Sequence, residues 1–114
     1  MYGTWIDGKP IYRKVIVGTM QKESGLFAFA DVSDLGIDRL IDLYGNLVEN
    51  NNNSHITLQT SYNLLNGISG AVNMYYASQK EKIMCPFLNN GGLYSGSTAY
   101  VILEYTKKLT EPLK

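Results

Sequence analysis

The sequence predicts a mainly β fold, an antiparallel β-sandwich or a jelly-roll-like arrangement of about seven strands. Short runs in which apolar and polar residues alternate predict strands, and residues 55–60 and 99–107 show this alternation clearly. Turn signals rich in Gly, Asn and Ser separate these runs at a spacing of roughly 8 to 15 residues, as in sandwiches. With 45% hydrophobic and 18% charged residues, the composition is that of a globular protein.

The length of the chain predicts one domain. Its 114 residues are enough for a hydrophobic core without metals or disulfides. We therefore expect a single domain over residues 1–114, in which 107–114 form a frayed tail. Nine tyrosines fit this picture, because tyrosine favours strands and also suits recognition surfaces.

The first element is a predicted hairpin over residues 5–18. Asp7-Gly8 is a dipeptide typical of a type I′ turn. Pro10 cannot donate a ladder hydrogen bond, so it belongs at an edge or at the start of a strand. The run from Ile11 to Val17 is then the returning strand.

Residues 31–48 allow two interpretations. Apolar side chains at helical spacing form a stripe over 37–47, and this pattern favours a helix. Gly36 and Gly45 also bracket a stretch that fits a strand of about nine residues. The residues that form the stripe are Ile37, Leu40, Ile41, Tyr44 and Leu47.

The remaining elements alternate between strands and loops. Strands are predicted at 25–31, 55–60, 71–76, 82–87 and 99–107, and residues 78–81 connect a hairpin. An exposed connector is predicted at 49–54, an irregular segment at 61–70 and a loop at 88–98.

Charge and targeting signals argue against several classes of protein. Ten basic and ten acidic residues give zero net charge, whereas nucleic-acid binders normally show a basic excess. No apolar run approaches the ~20 residues of a membrane span. The N-terminal segment lacks the basic and apolar regions of a signal peptide. Cys85 is the single cysteine, so no intrachain disulfide can form, which fits synthesis in a reducing cytoplasm. We expect neither a nucleic-acid nor a membrane partner.

The sequence offers no catalytic motif. His55 is the single histidine and stands in no nucleophile motif, while Cys85 lies in an apolar run typical of a buried thiol. One His and one Cys cannot form a zinc site within one chain. Nothing pairs two carboxylates across a cleft, and no phosphate-binding glycine motif occurs. We therefore expect a non-enzymatic protein without cofactors or metals.

The two ends of the chain carry a resemblance. "GTWIDGKPIYRKVI" at 3–16 and "STAYVILEYTKK" at 97–108 resemble a module of bacteriophage tail-fibre, head-fibre and receptor-binding proteins. That module opens with W-x-DGKPIY-x-K and closes with AYV-x-LEYTK. Residues 36–45 and the segment "AVNMYYASQKEKI" at 71–83 are similar to two of its internal motifs.

The resemblance implies a strand, not a helix, at 37–44, and a first strand that pairs with the last. It also implies a virion structural protein, made in the host cytoplasm, that forms a homotrimer, contacts other virion proteins and serves host-surface attachment. The alternative is a bacterial carbohydrate- or cell-wall-binding module, and a hydrolase is third.

Two loop regions are candidates for contacting a host glycan or a cell-wall polymer. They concentrate uncharged polar residues and tyrosine, whose side chains can bond sugar hydroxyls or pack on a sugar face. Ordinary turns are an equal alternative. The candidate residues are Asn50, Asn51, Asn52, Asn53, Tyr62, Asn63, Asn89, Asn90, Tyr94 and Ser95.

Overall fold

Two antiparallel sheets pack face to face in a β-sandwich. The computed structural model describes residues 3–49, 54–63, 69–90 and 94–108, and strands make up 66% of this part. The strands are β1 (Tyr12–Thr19), β2 (Gly25–Asp31), β3 (Ile37–Val48), β4 (His55–Thr57), β5 (Gln59–Asn63), β6 (Ser69–Asn73), β7 (Tyr75–Ala77), β8 (Lys82–Asn90) and β9 (Thr98–Lys107). A 3-10 turn, Ser33–Leu35, precedes β3. The predicted fold class is confirmed, with nine strands in the described residues rather than about seven.

The first sheet has the order β1-β9-β3-β4, and the second has the order β2-β8-β6-β5, with β7 also paired to β8. The first and last strands pair, as expected, in a ladder that runs from Tyr12 opposite Tyr105 to Thr19 opposite Thr98. The last strand therefore lies inside the first sheet, between β1 and β3, and its inward side chains are among the most buried.

The helix favoured by the pattern at 37–47 is wrong, because this stretch is β3. Two bulges interrupt its pairing with β9, one between Ile37 and Arg39 and one between Leu40 and Asp42. Each bulge inserts an extra residue, so inward side chains fall three residues apart where strict alternation would put them two apart. Those inward positions, opposite alternate residues of β9, are Ile37, Leu40, Leu43, Gly45 and Leu47. The first bulge thus produces the helix-like spacing of Ile37 and Leu40, whereas Tyr44 of the stripe lies on the outer face of the sheet.

Two predicted strands are each divided where the chain bends. The run 55–60 breaks at Leu58, where the chain passes from β4 in the first sheet to β5 in the second. The run 71–76 breaks at Met74, whose backbone N–H donates to the Leu58 carbonyl and whose carbonyl accepts from Gln59 Nε2 at 2.7 Å. This corner joins the two sheets along one side, while β1 and β2 form the edges of the sheets on the other side.

The first turn differs in type from the prediction. Gly8 N–H donates to the Trp5 carbonyl and Trp5 N–H to the Lys9 carbonyl. Gly8 has φ +87°, whereas Asp7 does not have a positive φ, so a type I′ turn at Asp7-Gly8 is excluded. The arrangement is a three-residue loop that ends in a left-handed glycine.

Two loops are also shorter than predicted. β5 and β6 take both ends of the segment 61–70, and β8 continues to Asn90 at the start of the segment 88–98. The predicted tail begins at Lys107, which still belongs to β9, and 109–114 lie outside the described residues.

One core fills the space between the sheets. Leu47, Val101 and Leu103 from the first sheet and Val72 and Ile83 from the second are fully buried. Such contacts stabilise the fold through burial of apolar surface, at about 25 cal/mol per Å².

Candidate functional site

Connections from distant parts of the sequence meet at one end of the sandwich. Thr98 lies between Thr19 and Val48 in the first sheet, and Ser69 lies between Asn63 and Asn90 in the second. These residues flank the segments 20–24, 49–54, 64–68 and 91–97. We call the described residues of and beside these segments the loop end.

The chain enters and leaves the described part of the fold at the opposite end, the base. Gly3 accepts a hydrogen bond from Ile11, beside the start of β1. Lys108 N–H donates to the Gly36 carbonyl at 2.8 Å, just before β3 begins. The base and the loop end are therefore separated by the length of the strands.

Asn89 connects three parts of the loop end. Its side chain is 7% exposed; Nδ2 donates to the Lys22 carbonyl and to Ser95 Oγ, both at 2.9 Å. Its Oδ1 accepts from the backbone N–H of Tyr94 at 2.8 Å, and its own N–H donates to Ser24 Oγ at 2.8 Å. The amide is therefore occupied by partners within the protein, and the predicted contact of Asn89 with a ligand is corrected to a structural role.

Tyr94 is also an interior residue. It is 1% exposed, and its ring centroid lies 6.2 Å from that of Phe87, with an angle of 30° between the two rings. The ring also lies directly over Gly70, where a Cβ would stand 2.5 Å from Tyr94 Cε2. The prediction that Tyr94 offers its ring to a sugar is corrected, because no face of the ring is free. Ser95 is half-buried and holds Asn89.

The other predicted residues flank or occupy the same end of the sandwich. Asn50 to Asn53 lie outside the described residues, but Glu49 N–H donates to the Ser54 carbonyl at 3.0 Å and fixes both ends of this connection. Tyr62 and Asn63 end β5, and Asn90 ends β8; their side chains lie outside the described part. Ligand contacts by these seven residues stay a prediction.

Sequence reasoning missed part of the loop end. Lys22 and Ser24 bind the Asn89 network, and Glu49 is almost completely buried just before the asparagine run. The signal available for Glu49 was its place, two residues after the inward Leu47 in an alternating strand. Lys22 and Ser24 stand in a charged connector that carries no pattern of its own.

The two residues considered for catalysis lie in different sheets, His55 in β4 and Cys85 in β8. His55 is exposed at the start of β4. Cys85 is fully buried in β8, and burial raises the pKa of its thiol to about 11, so it is a poor nucleophile in this environment. Within the described ranges, no three His, Cys, Asp or Glu side chains gather in a way that could hold a metal ion.

Comparisons of the chain with protein-family models, curated proteins and solved structures found no match. Among residues 3–49, 54–63, 69–90 and 94–108, no helix has the length and apolar character needed to cross a membrane.

Proposed function

We propose that this protein is a non-enzymatic structural module of a bacteriophage virion, a fibre tip or a head-fibre or decoration domain, that attaches to the host surface through its loop end. Two independent features support the proposal. The motifs at 3–16 and 97–108 resemble those of fibre modules. The observation that carries it is architectural: four connections lie at one end, and both ends of the described chain lie at the other end, together with the connections at 32–36 and 78–81. A module held at its base then presents the loop end outwards.

The chemistry of the loop end suits a glycan or a cell-wall polymer. The connection between Glu49 and Ser54 consists of four asparagines, whose amides can donate to and accept from sugar hydroxyls. The Asn89 network holds 94–97 and 22–24 in place at the same end of the sandwich. A scaffold that is already ordered reduces the entropy lost on binding.

In this proposal the working form is a homotrimer in the virion, in contact with other virion proteins. A threefold axis along a fibre would place three loop ends side by side, so that weak individual contacts act together.

The test is binding of the fluorescently labelled protein to a panel of Gram-positive and gut bacterial cells and to their purified cell-wall polysaccharides. The double variant Asn51→Ala/Asn52→Ala should lose at least about tenfold in binding to a responsive strain. The matched control, Ser78→Ala/Gln79→Ala, changes two exposed residues of the β7–β8 turn at the base and should bind as the wild type does.

Undiminished binding by a folded Asn51/Asn52 variant would contradict the proposed role of the loop end. A monomer that binds a soluble polysaccharide would instead fit a bacterial carbohydrate- or cell-wall-binding module.

A further inference from the structure

Glu49 and Ser97 continue the inner side of the first sheet into the loop end. Leu47 pairs with Ala99, and both are fully buried. Side chains alternate along a strand, so Glu49, two residues after Leu47, and Ser97, two residues before Ala99, point to the same inner side. Their exposures of 6% and 1% agree with this placement. A carboxylate and a hydroxyl therefore stand where the pattern of the core would place apolar side chains.

Backbone hydrogen bonds hold both residues in this position. Glu49 N–H donates to the Ser54 carbonyl at 3.0 Å, and Met20 N–H donates to the Ser97 carbonyl at 2.8 Å. Each bond continues the pairing of the adjacent strands by one residue. The fold itself therefore places the Glu49 side chain on the inner side.

The Glu49 carboxylate has no partner in the described part of the chain. Neither ion pair found there includes Glu49, and no hydrogen bond of its side chain occurs there. The Ser97 hydroxyl, its neighbour by register, makes no hydrogen bond and so does not donate to it. Both Nδ2 hydrogens of the buried Asn89 amide are already used by other acceptors.

The carboxylate oxygens of Glu49 reach the surface. Within the described residues, the side-chain oxygens that are fully enclosed and lack a partner are Ser97 Oγ and Thr106 Oγ1. The Glu49 oxygens also lack a partner but are not fully enclosed, so the small exposed part of this residue includes them. Glu49 thus buries its stem and presents its carboxylate to the solvent at the loop end.

An unpaired carboxylate in such a position costs free energy. Removing a charge from water is unfavourable unless another group pairs with it, and buried glutamates in folded proteins are almost always paired. A polar group that is left unsatisfied therefore needs a reason. Binding of a ligand group from outside the chain supplies the missing partner.

Charge selects the kind of group that fits. The segments 20–24, 49–54, 64–68 and 91–97 contain one lysine and two glutamates, which leaves a net charge of −1. A sugar hydroxyl can donate to a carboxylate, but an opposite charge offsets the desolvation of the carboxylate more fully. An ammonium group carries three donors and forms charge-assisted hydrogen bonds, which are stronger than neutral ones.

We propose that Glu49 binds a free amino group of the host polymer. The inference rests on the attachment function proposed above and specifies its ligand: a glycan or cell-wall polymer whose amines are not acetylated. Glu49 then contributes the charged contact of the loop end.

The test is calorimetric titration of the full chain with glucosamine oligomers and with N-acetylglucosamine oligomers of the same length, at pH 6. The wild type should bind the amine-bearing oligomer at least about tenfold more tightly than the acetylated one. Glu49→Gln keeps the shape of the side chain and removes its charge, so it should lose this preference. The matched control is Glu23→Gln, which removes an exposed carboxylate from the same end of the sandwich and should bind as the wild type does.

Urea unfolding separates a binding role of Glu49 from a structural one. Because the carboxylate is unpaired, Glu49→Gln should unfold at a urea concentration no lower than the wild type does. A lower midpoint would assign Glu49 to the structure and overturn the inference. Equal binding of the two oligomers by the wild type would also overturn it, as would no binding of the amine-bearing oligomer up to about 10 mM. A folded Glu49→Gln variant that keeps the preference has the same consequence.

The inference and the proposed attachment can fail separately. Host-cell binding that Asn51→Ala/Asn52→Ala abolishes and Glu49→Gln leaves unchanged would support the attachment and refute the amine contact. Binding of glucosamine oligomers through Glu49 by a protein that binds no cells would support the amine contact and refute the attachment.

Discussion

At the scale of single residues, Asn89 and Tyr94 show how an uncharged polar loop can be an interior structure. Both Nδ2 hydrogens and the Oδ1 of Asn89 have partners within the protein, and the Tyr94 ring lies on Phe87 and Gly70. Composition cannot distinguish such residues from ligand-binding ones, because the same amide and ring chemistry serves both. Only the pairing of β8 with β6, which is a long-range contact, reveals that they are buried.

Asn89→Ala should lower the free energy of unfolding by about 2 kcal/mol, because it leaves the buried Tyr94 N–H and the part-buried Lys22 carbonyl without their partner. Urea unfolding at equal protein concentration measures the change. Asn46→Ala is the control, since Asn46 lies on the outer face of the first sheet and should change stability by less than ~0.5 kcal/mol. Equal effects of the two substitutions would refute the structural role of Asn89.

At the scale of elements, most strands follow from alternation, whereas β3 does not. Residues 55–57 and 98–105 alternate strictly in burial, and their strands were recognisable from the sequence. β3 contains two bulges, and a bulge changes the period of the apolar pattern without leaving a residue signature. The position of the sheet corner at Leu58 was likewise hidden, since a strand that changes sheet keeps its alternation on both sides.

Gly45 is the position in β3 where an added side chain is least tolerated. Its φ is +134°, and a Cβ there would stand against the Tyr100 carbonyl oxygen of β9. Gly45→Ala should therefore lower the free energy of unfolding by more than ~3 kcal/mol, through both backbone strain and the clash.

Gly36→Ala is the matched control for this prediction. Gly36 also has a positive φ, +62°, but nothing lies within 4 Å of its Cβ position, so its cost should be about 1 kcal/mol. Chemical denaturation measures both variants, and similar losses at the two positions would show that the contact with β9 is unimportant.

The N-terminal hairpin is attached to the body of the protein by an ion pair. Lys9 Nζ donates to Asp38 Oδ2 at 2.5 Å, and this hydrogen bond lowers the pKa of the Asp38 carboxyl below its ordinary 3.8. A carboxyl whose folded pKa is lowered stabilises the contact above its unfolded pKa, and the contact is lost as the pH falls through the folded value.

The hairpin should therefore loosen below pH ~3.8. Trp5 is the single tryptophan of the chain and lies in this hairpin, so its fluorescence reports the change locally. In the wild type the emission should stay constant from pH 7 to 4 and shift below that, while Asp38→Asn should show the loosened emission already at pH 7. Identical spectra of the two proteins at pH 7 would exclude this attachment, and far-UV circular dichroism separates it from global unfolding.

At the scale of the whole molecule, the loop end could be predicted only in part. The sequence indicated two of its regions through their Asn, Tyr and Ser content, but not that segment 20–24 lies at the same end of the sandwich. That arrangement depends on β9 lying between β1 and β3, and on β8 lying between β2 and β6. The paired end motifs suggested the first of these neighbours, and nothing local suggested the second.

The rate at which a thiol reagent labels Cys85 measures how readily the two sheets separate. It is fully buried and its pKa is raised to about 11, so both access and thiolate supply limit its reaction. At pH 8 a water-soluble thiol reagent should label the native protein at least about a thousandfold more slowly than the chain unfolded in guanidinium.

A control for this labelling is Ser78→Cys in a Cys85→Ser background, because position 78 is exposed in the β7–β8 turn. Its thiol should react at nearly the rate of the unfolded chain. Rapid labelling of Cys85 under native conditions would mean that the sandwich opens without unfolding.

Because of the ladder between β1 and β9, the resistance of this molecule to a pulling force depends on the direction of the force. A force that pulls the base away from the loop end acts along the strands. The eight residue pairs of this ladder then resist the force together, in shear. Traction that draws residues 3 and 108 apart acts across the same ladder and peels it pair by pair from Tyr12 and Tyr105. The same fold therefore withstands tension transmitted through its loops far better than tension applied between its own two chain ends.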